Sequence, residues 1–252
     1  MGNENAFGLF SINTFLKVSE KQLNKILNGL NKNIAKIKKL MFIRPLSESV
    51  DYTKFWDEEP LTQLKKYSCY LPYKCYLIKD AKKNYIGIVL DMSHDLHWYV
   101  KKEHRGKGYL TKSLKEIILP HLLDIREEQQ ITISKDEIGV QIFKASEKVA
   151  LSNGFKLIKV ENDKHFYCLK REELIEHPII EGNNTLMSEV RMLELKRTFS
   201  FMAHKLKMIE AEIELHTDDV IFSEDIGDLS SKMNSYSNLI EDKWYETYSK
   251  PN

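Results

Sequence analysis

Hydrophobic positions along the chain change their period twice, and these changes divide it into three parts. In the first part, apolar residues between Lys17 and Met41 recur in steps of three and four, which predicts an amphipathic helix. These residues are Leu23, Ile26, Leu27, Leu30, Ile34, Ile37 and Met41. The opposite face is mostly lysine and asparagine. We interpret it as a solvated face rather than a nucleic-acid patch, and we treat residues 1–41 as an N-terminal helical region.

The second part, residues 42–171, opens with a mixture of strand-like and helix-like runs. "MFIRPL" is typical of a strand ending at Pro45, and "DYTKFWDEEPLTQLKKY" of a helix interrupted at Pro60. The runs "YKCYLI" and "YIGIVLDM" are rich in aromatic and β-branched residues and flank the polar turn "KDAKKN", so they predict a hairpin. "DLHWYV" predicts one more strand.

Helices and strands then alternate to the end of this part. A glycine-containing loop precedes a helix through Leu114, Ile117, Ile118 and Leu122, and "ITIS" predicts a short buried strand. "VQIFKASEKVALSN" predicts a helix that ends at Gly154, which suits a left-handed cap. "FKLIKV" and "HFYCLK" close the part as two strands around "ENDK". The order predicts an α/β fold with a sheet of mixed direction flanked by helices.

The third part, residues 172–252, is helical from Thr185 to Lys250. One apolar stripe contains Phe199, Met202, Leu206, Ile209 and Ile213, and a second contains Ile226, Leu229, Met233, Tyr236, Ile240 and Trp244. The acidic segment "HTDDVIFSEDIGD" between them is turn-like, so we predict an antiparallel helical hairpin. We expect Phe199, Met202, Met233 and Trp244 to be core residues.

Each predicted helix outside the sheet must bury its apolar stripe to be stable. We expect one bundle in which the N-terminal helix packs against the C-terminal pair. The alternatives are that one stripe packs on the sheet, or that the long helix Thr185–Leu215 pairs with its copy in a homodimer. We expect the helical module either to dimerise the protein or to present the acceptor, and we favour dimerisation.

Composition excludes several classes of partner. The 252 residues contain 38 Lys+Arg and 37 Asp+Glu, a net charge of +1, which gives no bulk attraction to nucleic acid or to an anionic membrane. The three cysteines, Cys69, Cys75 and Cys168, lack zinc spacing and fit a reducing compartment. No apolar run reaches membrane-spanning length, and Ala6 stands where a myristoylation motif needs Ser or Thr. We therefore expect a soluble cytoplasmic protein.

The loop in "KKEHRGKGYLTKSL" has the features of an anion site. It follows a strand and opens a helix, where unpaired backbone N–H groups meet the positive end of the helix dipole. Gly106 and Gly108 lack a Cβ atom, so an anion can approach the backbone closely. Arg105 and Lys107 add positive charge. The segment lacks the endings of a P-loop and the spacing of a dinucleotide fingerprint, so it predicts a phosphate or pyrophosphate site of another kind.

Two segments together resemble the GNAT N-acetyltransferase superfamily. "WYVKKEHRGKGYLTKSLKEIIL" resembles the segment that binds acetyl-CoA, with Arg105, Gly106, Lys107, Gly108, Tyr109 and Leu110 in the family's Arg/Gln-x-x-Gly-x-Gly/Ala motif. "SEKVALSNGFKLI" resembles the second signature, a helix ending in Gly154 and Phe155 ahead of a strand. The resemblance covers residues 42–171 and implies a GNAT-like domain with an added N-terminal helix and a C-terminal helical hairpin.

This resemblance implies roles for particular residues. Backbone amides from Arg105 to Leu110 would cradle the CoA pyrophosphate, with Thr111 adding a hydroxyl. The backbone of Val100 would pair with the pantetheine arm, although Val100 also suits simple sheet core. For Arg105, a solvated turn charge is an equal alternative to a cofactor contact. Acetyl-CoA is the implied co-substrate, and the family needs no metal.

The sequence also departs from the family pattern. Leu110 stands where the family prefers Gly or Ala, and a larger side chain there narrows the cradle. Phe143 stands where an asparagine often contacts pantetheine, and Ala150 where a tyrosine often acts as general acid. The commonest proton donor to the leaving thiolate is therefore missing.

The nearest titratable candidates lie in "DMSHDLHWY": Asp91, His94, Asp95, His97 and Tyr99. His97 and Tyr99 share one face of the strand by its period of two, so His97 is a candidate base and Tyr99 a candidate proton donor. The alternatives are a sheet histidine with a satisfied hydrogen bond and a metal site of His94, Asp95 and His97.

These features predict an N-acetyltransferase that moves an acetyl group from acetyl-CoA to an amine whose identity the sequence does not give. The alternative is a catalytically impaired CoA-binding module that acts through its helices. A transferase acting on charged tRNA finds no support in the net charge.

Overall fold

The computed structural model of the protein describes residues 19–34, 41–55, 72–174, 187–217 and 220–248. The chain forms two compact units, Met1–Asn183 and Asn184–Asn252. The domain boundaries expected after residues 41 and 171 stay predictions. No helix in the described ranges is both long and apolar enough to cross a membrane.

The first unit alternates strands with mostly short helices. In chain order it contains α1 (Glu20–Asn31), β1 (Met41–Pro45), β2 (Val50–Phe55), β3 (Tyr73–Lys79), β4 (Tyr85–Asp91), β5 (Leu96–Val100), a 3₁₀ turn (Lys102–His104), α2 (Tyr109–Ser113), a π-helical turn (Leu114–Ile118), α3 (Leu119–Leu123), β6 (Glu128–Ser134), α4 (Lys135–Ile138), α5 (Val140–Ser152), β7 (Lys156–Glu161), β8 (Lys164–Lys170) and a second 3₁₀ turn (Arg171–Glu173).

These strands form two antiparallel sheets, which confirms the α/β class. The first has the order β1-β2-β3-β4-β5, and the second has the order β6-β8-β7. Every described strand pair inside a sheet is antiparallel. The predicted hairpins β3–β4 and β7–β8 are confirmed by their registers. Mixed direction within one sheet, expected from the sequence, is therefore not observed among the described strands.

Helix α1 buries its apolar stripe on one face of the first sheet. Ser19 and Gln22 form a capping box at its start. Leu23, Leu27 and Leu30 pack in a cluster with sheet residues including Ile88 and Tyr99. The expectation that this helix joins a bundle was therefore wrong, and the stated alternative of packing on the sheet is the one observed.

The N-terminal helix is also shorter than predicted. It ends at Asn31, and Asn33 follows with a φ of +58°, a left-handed conformation that asparagine tolerates. Ile34 is exposed, and Ile37 lies outside the described residues. Met41, expected in the helix, starts β1.

The helix predicted from "DYTKFWDEEPLTQLKKY" is wrong at its start, where residues 50–55 form β2. The Asp51 carboxylate in this strand is buried between two partners. It accepts hydrogen bonds from Lys79 Nζ at 2.6 Å and from the Tyr85 hydroxyl at 2.7 Å. A paired carboxylate can thus sit inside a central strand. Residues 56–71 lie outside the described part of the chain.

The other side of the first sheet carries the principal core. Leu114, Ile117, Ile118 and Leu122 are buried there, as predicted for the helix after the glycine loop. That helix contains the π-helical turn, in which Leu119 N bonds Leu114 O. Pro120 follows in the first turn of α3. Because it has no N–H, it cannot donate to the helical hydrogen-bond ladder.

The second unit is an antiparallel pair of helices, α6 (Glu189–Thr217) and α7 (Val220–Tyr248). Two contacts show that the helices run in opposite directions. Lys196 pairs with Glu241, and Ser230 Oγ donates to the Ala203 carbonyl at 2.8 Å. The turn expected over residues 216–228 was too long, because α7 begins at Val220.

The seam between these helices uses smaller residues than the sequence pattern indicated. Ser223, Ser230 and Ser237 are buried at seven-residue spacing on α7, opposite Met192 and Ala203 of α6. Met202, expected in the core, is 46% exposed. Small seam residues let two helix backbones approach closely and rotate the larger apolar residues outward.

A partly buried clamp joins the first residue of β5 to Thr132 within β6. The Asp95 carboxylate accepts hydrogen bonds from Leu96 N at 2.7 Å and from Thr132 N at 3.0 Å. Burial raises the pKa of Asp95, against the opposing effect of these hydrogen bonds. The Asp95 side chain therefore links the two sheets at a point where no backbone ladder joins them.

Two longer side chains extend the clamp toward the beginning of each strand. Arg126 donates to the Ser93 carbonyl at 2.9 Å and pairs with Asp91 at 2.7 Å. The buried Gln129 amide donates to the His94 carbonyl at 3.0 Å. Because the contacts advance from Arg126 to Thr132 as they advance from Ser93 to Asp95, β5 begins beside the second half of β6 and runs in the same direction. They remain in separate sheets.

We predict that Asp95→Ala destabilises the protein by about 1–3 kcal/mol, because it leaves two buried N–H groups without an acceptor. Asp95→Asn keeps an acceptor oxygen and should cost less. The raised pKa means that the folded state holds the proton more tightly, so the contribution of Asp95 to stability falls as the pH rises from about 4 through its folded-state pKa.

Urea unfolding at pH 5 and pH 8 measures both effects. The Asp95→Asn variant should lose less stability than the wild type over this rise in pH. Asp124→Asn, at an exposed position, is the control and should match the wild type. A clamp role for Asp95 is wrong if the alanine variant is as stable as the wild type.

Candidate functional site

The free edge of β5 faces the gap between the two sheets. Two hydrogen bonds show which residues of β5 are bonded to β4: Lys101 N donates to Ile86 O, and Met92 N donates to Asp95 O. In an antiparallel pair, hydrogen-bonded and non-hydrogen-bonded residues alternate. The N–H and C=O groups of Trp98 and Val100 therefore point away from β4, toward the side on which β6 runs. An extended ligand can pair with an edge of this kind.

The glycine loop begins directly after this edge. A 3₁₀ turn leads to Gly106 and Gly108, which have φ values of +73° and +78°. No heavy atom lies within 4 Å of the position that a Cβ atom would take on either glycine. Glycine adopts this backbone without strain, and the space beside both residues is open.

Gly108 is the N-cap of α2 and provides no side chain to cap it. Lys112 N makes a helical bond to Gly108 O, so the N–H groups of Tyr109, Leu110 and Thr111 precede the first donor of the helical ladder. The helical path continues through the π-helical turn to Leu123, which aligns further peptide dipoles behind these groups. The arrangement suits an anion of phosphate type.

Positive charge in the loop is divided between two different roles. Lys107 is exposed beside the two glycines. Arg105 instead turns back, donating from Nε to the Val100 carbonyl at 2.8 Å and pairing with Glu20 of α1 at 3.3 Å. Its guanidinium lies 5.5 Å from the centre of the Tyr99 ring. The side chain of Arg105 thus braces the loop against β5 and α1, while its backbone belongs to the loop.

The remaining predicted loop residues anchor the start of α2. Tyr109 and Leu110 are half-buried and pack against the principal core, so the Leu110 side chain does not fill the open side of the glycines. Tyr109 also meets the ring of His104 edge-on, with centroids 6.0 Å apart. Thr111 is half-buried in the first turn.

The titratable candidates near β5 differ in how exposed they are and in what they contact. His97 is exposed, whereas Tyr99 is buried within the cluster that contains α1. Burial raises the pKa of Tyr99, with a smaller lowering effect from Arg105. Asp91 and Asp95 are held by the clamp and its arginine. No group of three His, Cys, Asp or Glu side chains in the described ranges is placed to hold a metal ion.

The second signature is built into the wall of the gap. The helix α5 ends as predicted, with Gly154 at a φ of +86°. Ala150 and Phe143 are both buried in the core, and Phe143 meets His165 edge-on at 4.8 Å. Neither residue supplies a proton or an amide there.

Sequence reasoning missed a hydroxyl close to that position. Ser146 lies one helical turn before Ala150 and therefore on the same face of α5. Its Oγ accepts a hydrogen bond from Trp98 Nε1 at 3.4 Å, from β5 across the gap. The four-residue spacing is visible in the sequence, but the pairing with Trp98 required the three-dimensional arrangement.

Comparison with known proteins gave matches among solved structures alone. No protein-family model matches the chain, and neither does any curated protein. The spermidine/spermine N-acetyltransferase SpeG from Vibrio cholerae, in mutant forms, is 13% identical, with 53% of this chain and 96% of that chain covered and a TM-score of 0.33.

Two further solved structures are similar. A candidate phosphinothricin N-acetyltransferase is 18% identical over 41% of this chain and 73% of its own, with a TM-score of 0.30. YncA of Salmonella typhimurium, a candidate acetyltransferase solved with its cofactor acetyl-CoA, is 20% identical over 42% of this chain and 67% of its own, with a TM-score of 0.28. Because these TM-scores lie below 0.5, the case for function rests on the geometry above. The names of all three solved structures include acetyltransferase.

Proposed function

We propose that this protein transfers an acetyl group from acetyl-CoA to an amine. The observation that carries the proposal is the continuity of an unpaired strand edge with an open glycine loop at a helix start. A ligand with an amide-bearing arm and a pyrophosphate can use both at once. Acetyl-CoA has this chemistry, so the described residues fit it as co-substrate.

In this proposal the backbone provides most of the binding. The N–H of Val100 pairs with the pantetheine arm, while its C=O is already held by Arg105. The amides from Gly106 to Leu110 surround the pyrophosphate, with charge from Lys107 and a hydroxyl from Thr111. The N–H of Arg105, also expected there, already donates to the Lys102 carbonyl at 3.3 Å. Backbone donors fixed in place do not have to reorganise when an anion binds.

Acetyl transfer makes three demands on the site. The amine must lose a proton, the thioester carbonyl must be polarised, and the leaving thiolate must be protonated. We assign the first role to His97, which is exposed on β5 and whose residue type titrates near neutral pH. A backbone N–H at the edge of β5 can polarise the carbonyl. Tyr99 is the proposed donor to the thiolate, although its burial beneath α1 restricts its access.

A second candidate function is supported by the wall of the gap. Phe143 and Ala150 leave α5 without the family's asparagine and tyrosine, which favours a CoA-binding module that has lost catalysis and acts through its helices. Such a module would bind acetyl-CoA and release no thiol with any amine.

The proposal includes a cytoplasmic location. Cys75 and Cys168 are free and buried, which fits a reducing compartment, and Cys69 lies outside the described residues.

We predict that the protein binds acetyl-CoA with an affinity of about 1–50 μM, by analogy with typical KM values. Gly108→Glu should abolish binding, because a carboxylate would occupy the anion site. Gly108→Gln carries the same backbone strain and a side chain of similar size without the charge, so it should bind more tightly than the glutamate variant. Titration calorimetry measures all three, and unchanged affinity in Gly108→Glu would refute the placement.

We predict that His97→Ala lowers thiol release at neutral pH by about a hundredfold, the effect of losing a general base. Tyr99→Phe keeps the ring that packs under α1 and should affect the rate differently. The assay is thiol release against a panel of amines at saturating acetyl-CoA. Equal rates in His97→Ala and the wild type remove His97 from the mechanism. Acetyl-CoA binding without thiol release for any amine favours the impaired module.

A further inference from the structure

A row of exposed apolar side chains follows one side of the C-terminal helical pair. Met202 and Ile209 lie seven residues apart on α6 and are each 46% exposed. Leu229 and Tyr236 lie seven residues apart on α7 and are 49% and 44% exposed. A spacing of seven keeps residues on one line of a helix. We call these four residues the apolar band.

The band lies on one flank of the pair because each member directly precedes a seam residue. Met202 precedes Ala203, and Leu229 precedes Ser230, which bonds the Ala203 carbonyl. One residue is a rotation of about 100° around a helix, in the same sense for both. In an antiparallel pair the same rotation leads to the same side.

The remaining two members follow this rule. Ile209 precedes Glu210, whose side chain lies against Gly227. Tyr236 precedes the buried Ser237, and its ring lies 6.1 Å from the ring of Phe199 on the facing helix. The four side chains therefore form a continuous surface across both helices.

Charge is distributed unevenly along this surface. Residues 208–217 and 220–231, adjacent in the antiparallel pair, contain six acidic residues and no Lys or Arg. Residues 189–207 and 232–248, at the other end, contain seven Lys or Arg and five acidic residues. The pair thus has an acidic end and a basic end.

We propose that the apolar band is the interface of a homodimer in which two helical pairs pack antiparallel about a two-fold axis. This arrangement sets the acidic end of each copy against the basic end of the other, whereas a parallel arrangement sets like charges together. It also buries the band of both copies in a four-helix bundle, and a two-fold interface uses the same surface twice. An anionic membrane or a nucleic acid would be repelled by the acidic end.

The border of the band carries one charge from each end of the helical pair. Lys205 and Glu212 are exposed, lie seven residues apart on the same line of α6, and belong to the basic and acidic ends. With the two-fold axis at the middle of the band, Glu212 of one copy lies over the basic end of the second copy. Lys205 lies 5.5 Å over the Phe201 ring, which holds it beside the band.

Sedimentation velocity on the full chain over a range of concentrations tests this interface, and it does so independently of acetyl-CoA binding. The wild type should be a dimer. Met202→Lys should weaken dimerisation by about tenfold or more, because it buries an unpaired charge. Leu193→Lys is the matched control: Leu193 lies nine residues away, half a turn around α6, is 37% exposed, and should leave the dimer intact.

Charge reversal tests the antiparallel arrangement. Glu212→Lys should weaken the dimer, because it reverses a charge that lies over the basic end of the second copy. Circular dichroism of each variant confirms that the helices remain folded. A monomeric wild type overturns the proposal, as does a dimer that tolerates Met202→Lys. A dimer that Glu212→Lys leaves unchanged overturns the antiparallel geometry.

Discussion

The hydrogen bonds of Asp95 to Leu96, the first residue of β5, and to Thr132 within β6 are the constraint on which the site depends. Through this carboxylate the two strands are joined at one point without a continuous ladder. Were they paired along their length, the N–H and C=O groups of Trp98 and Val100 would be used inside a sheet. Because they belong to separate sheets, β5 keeps a free edge, and that edge leads directly into the glycine loop.

The loop in turn depends on contacts made outside it. Arg105 ties the end of β5 to α1 through Val100 and Glu20, and Tyr109 and Leu110 anchor the start of α2 in the core. Between these two anchors, the glycines and Lys107 face open space. A backbone that is fixed at both ends and open in the middle is preorganised for an anion, and this supports a binding role more strongly than positive charge alone does.

The sequence predicted the elements whose local pattern matches their burial. The β3–β4 hairpin, the helix after the glycine loop and the Gly154 cap follow from period, turn composition and glycine position, and all three are observed. Errors arose where a long-range partner reversed a local preference. Asp51 enters β2 because Lys79 and Tyr85 satisfy it, and Met202 is exposed because serines form the seam of the helical pair. The site divides in the same way: the loop was predictable from its glycines, whereas Asp95, Ser146 and the brace made by Arg105 depend on residues distant in sequence.

The most direct measurement of the central claim is amide hydrogen exchange with and without saturating acetyl-CoA. If the edge of β5 and the glycine loop hold the co-substrate, exchange at Val100 and across residues 106–111 slows on binding. Exchange at the ends of α6 and α7 should be the same with and without acetyl-CoA. Saturable binding that leaves the amides of Val100 and residues 106–111 unprotected would contradict the account.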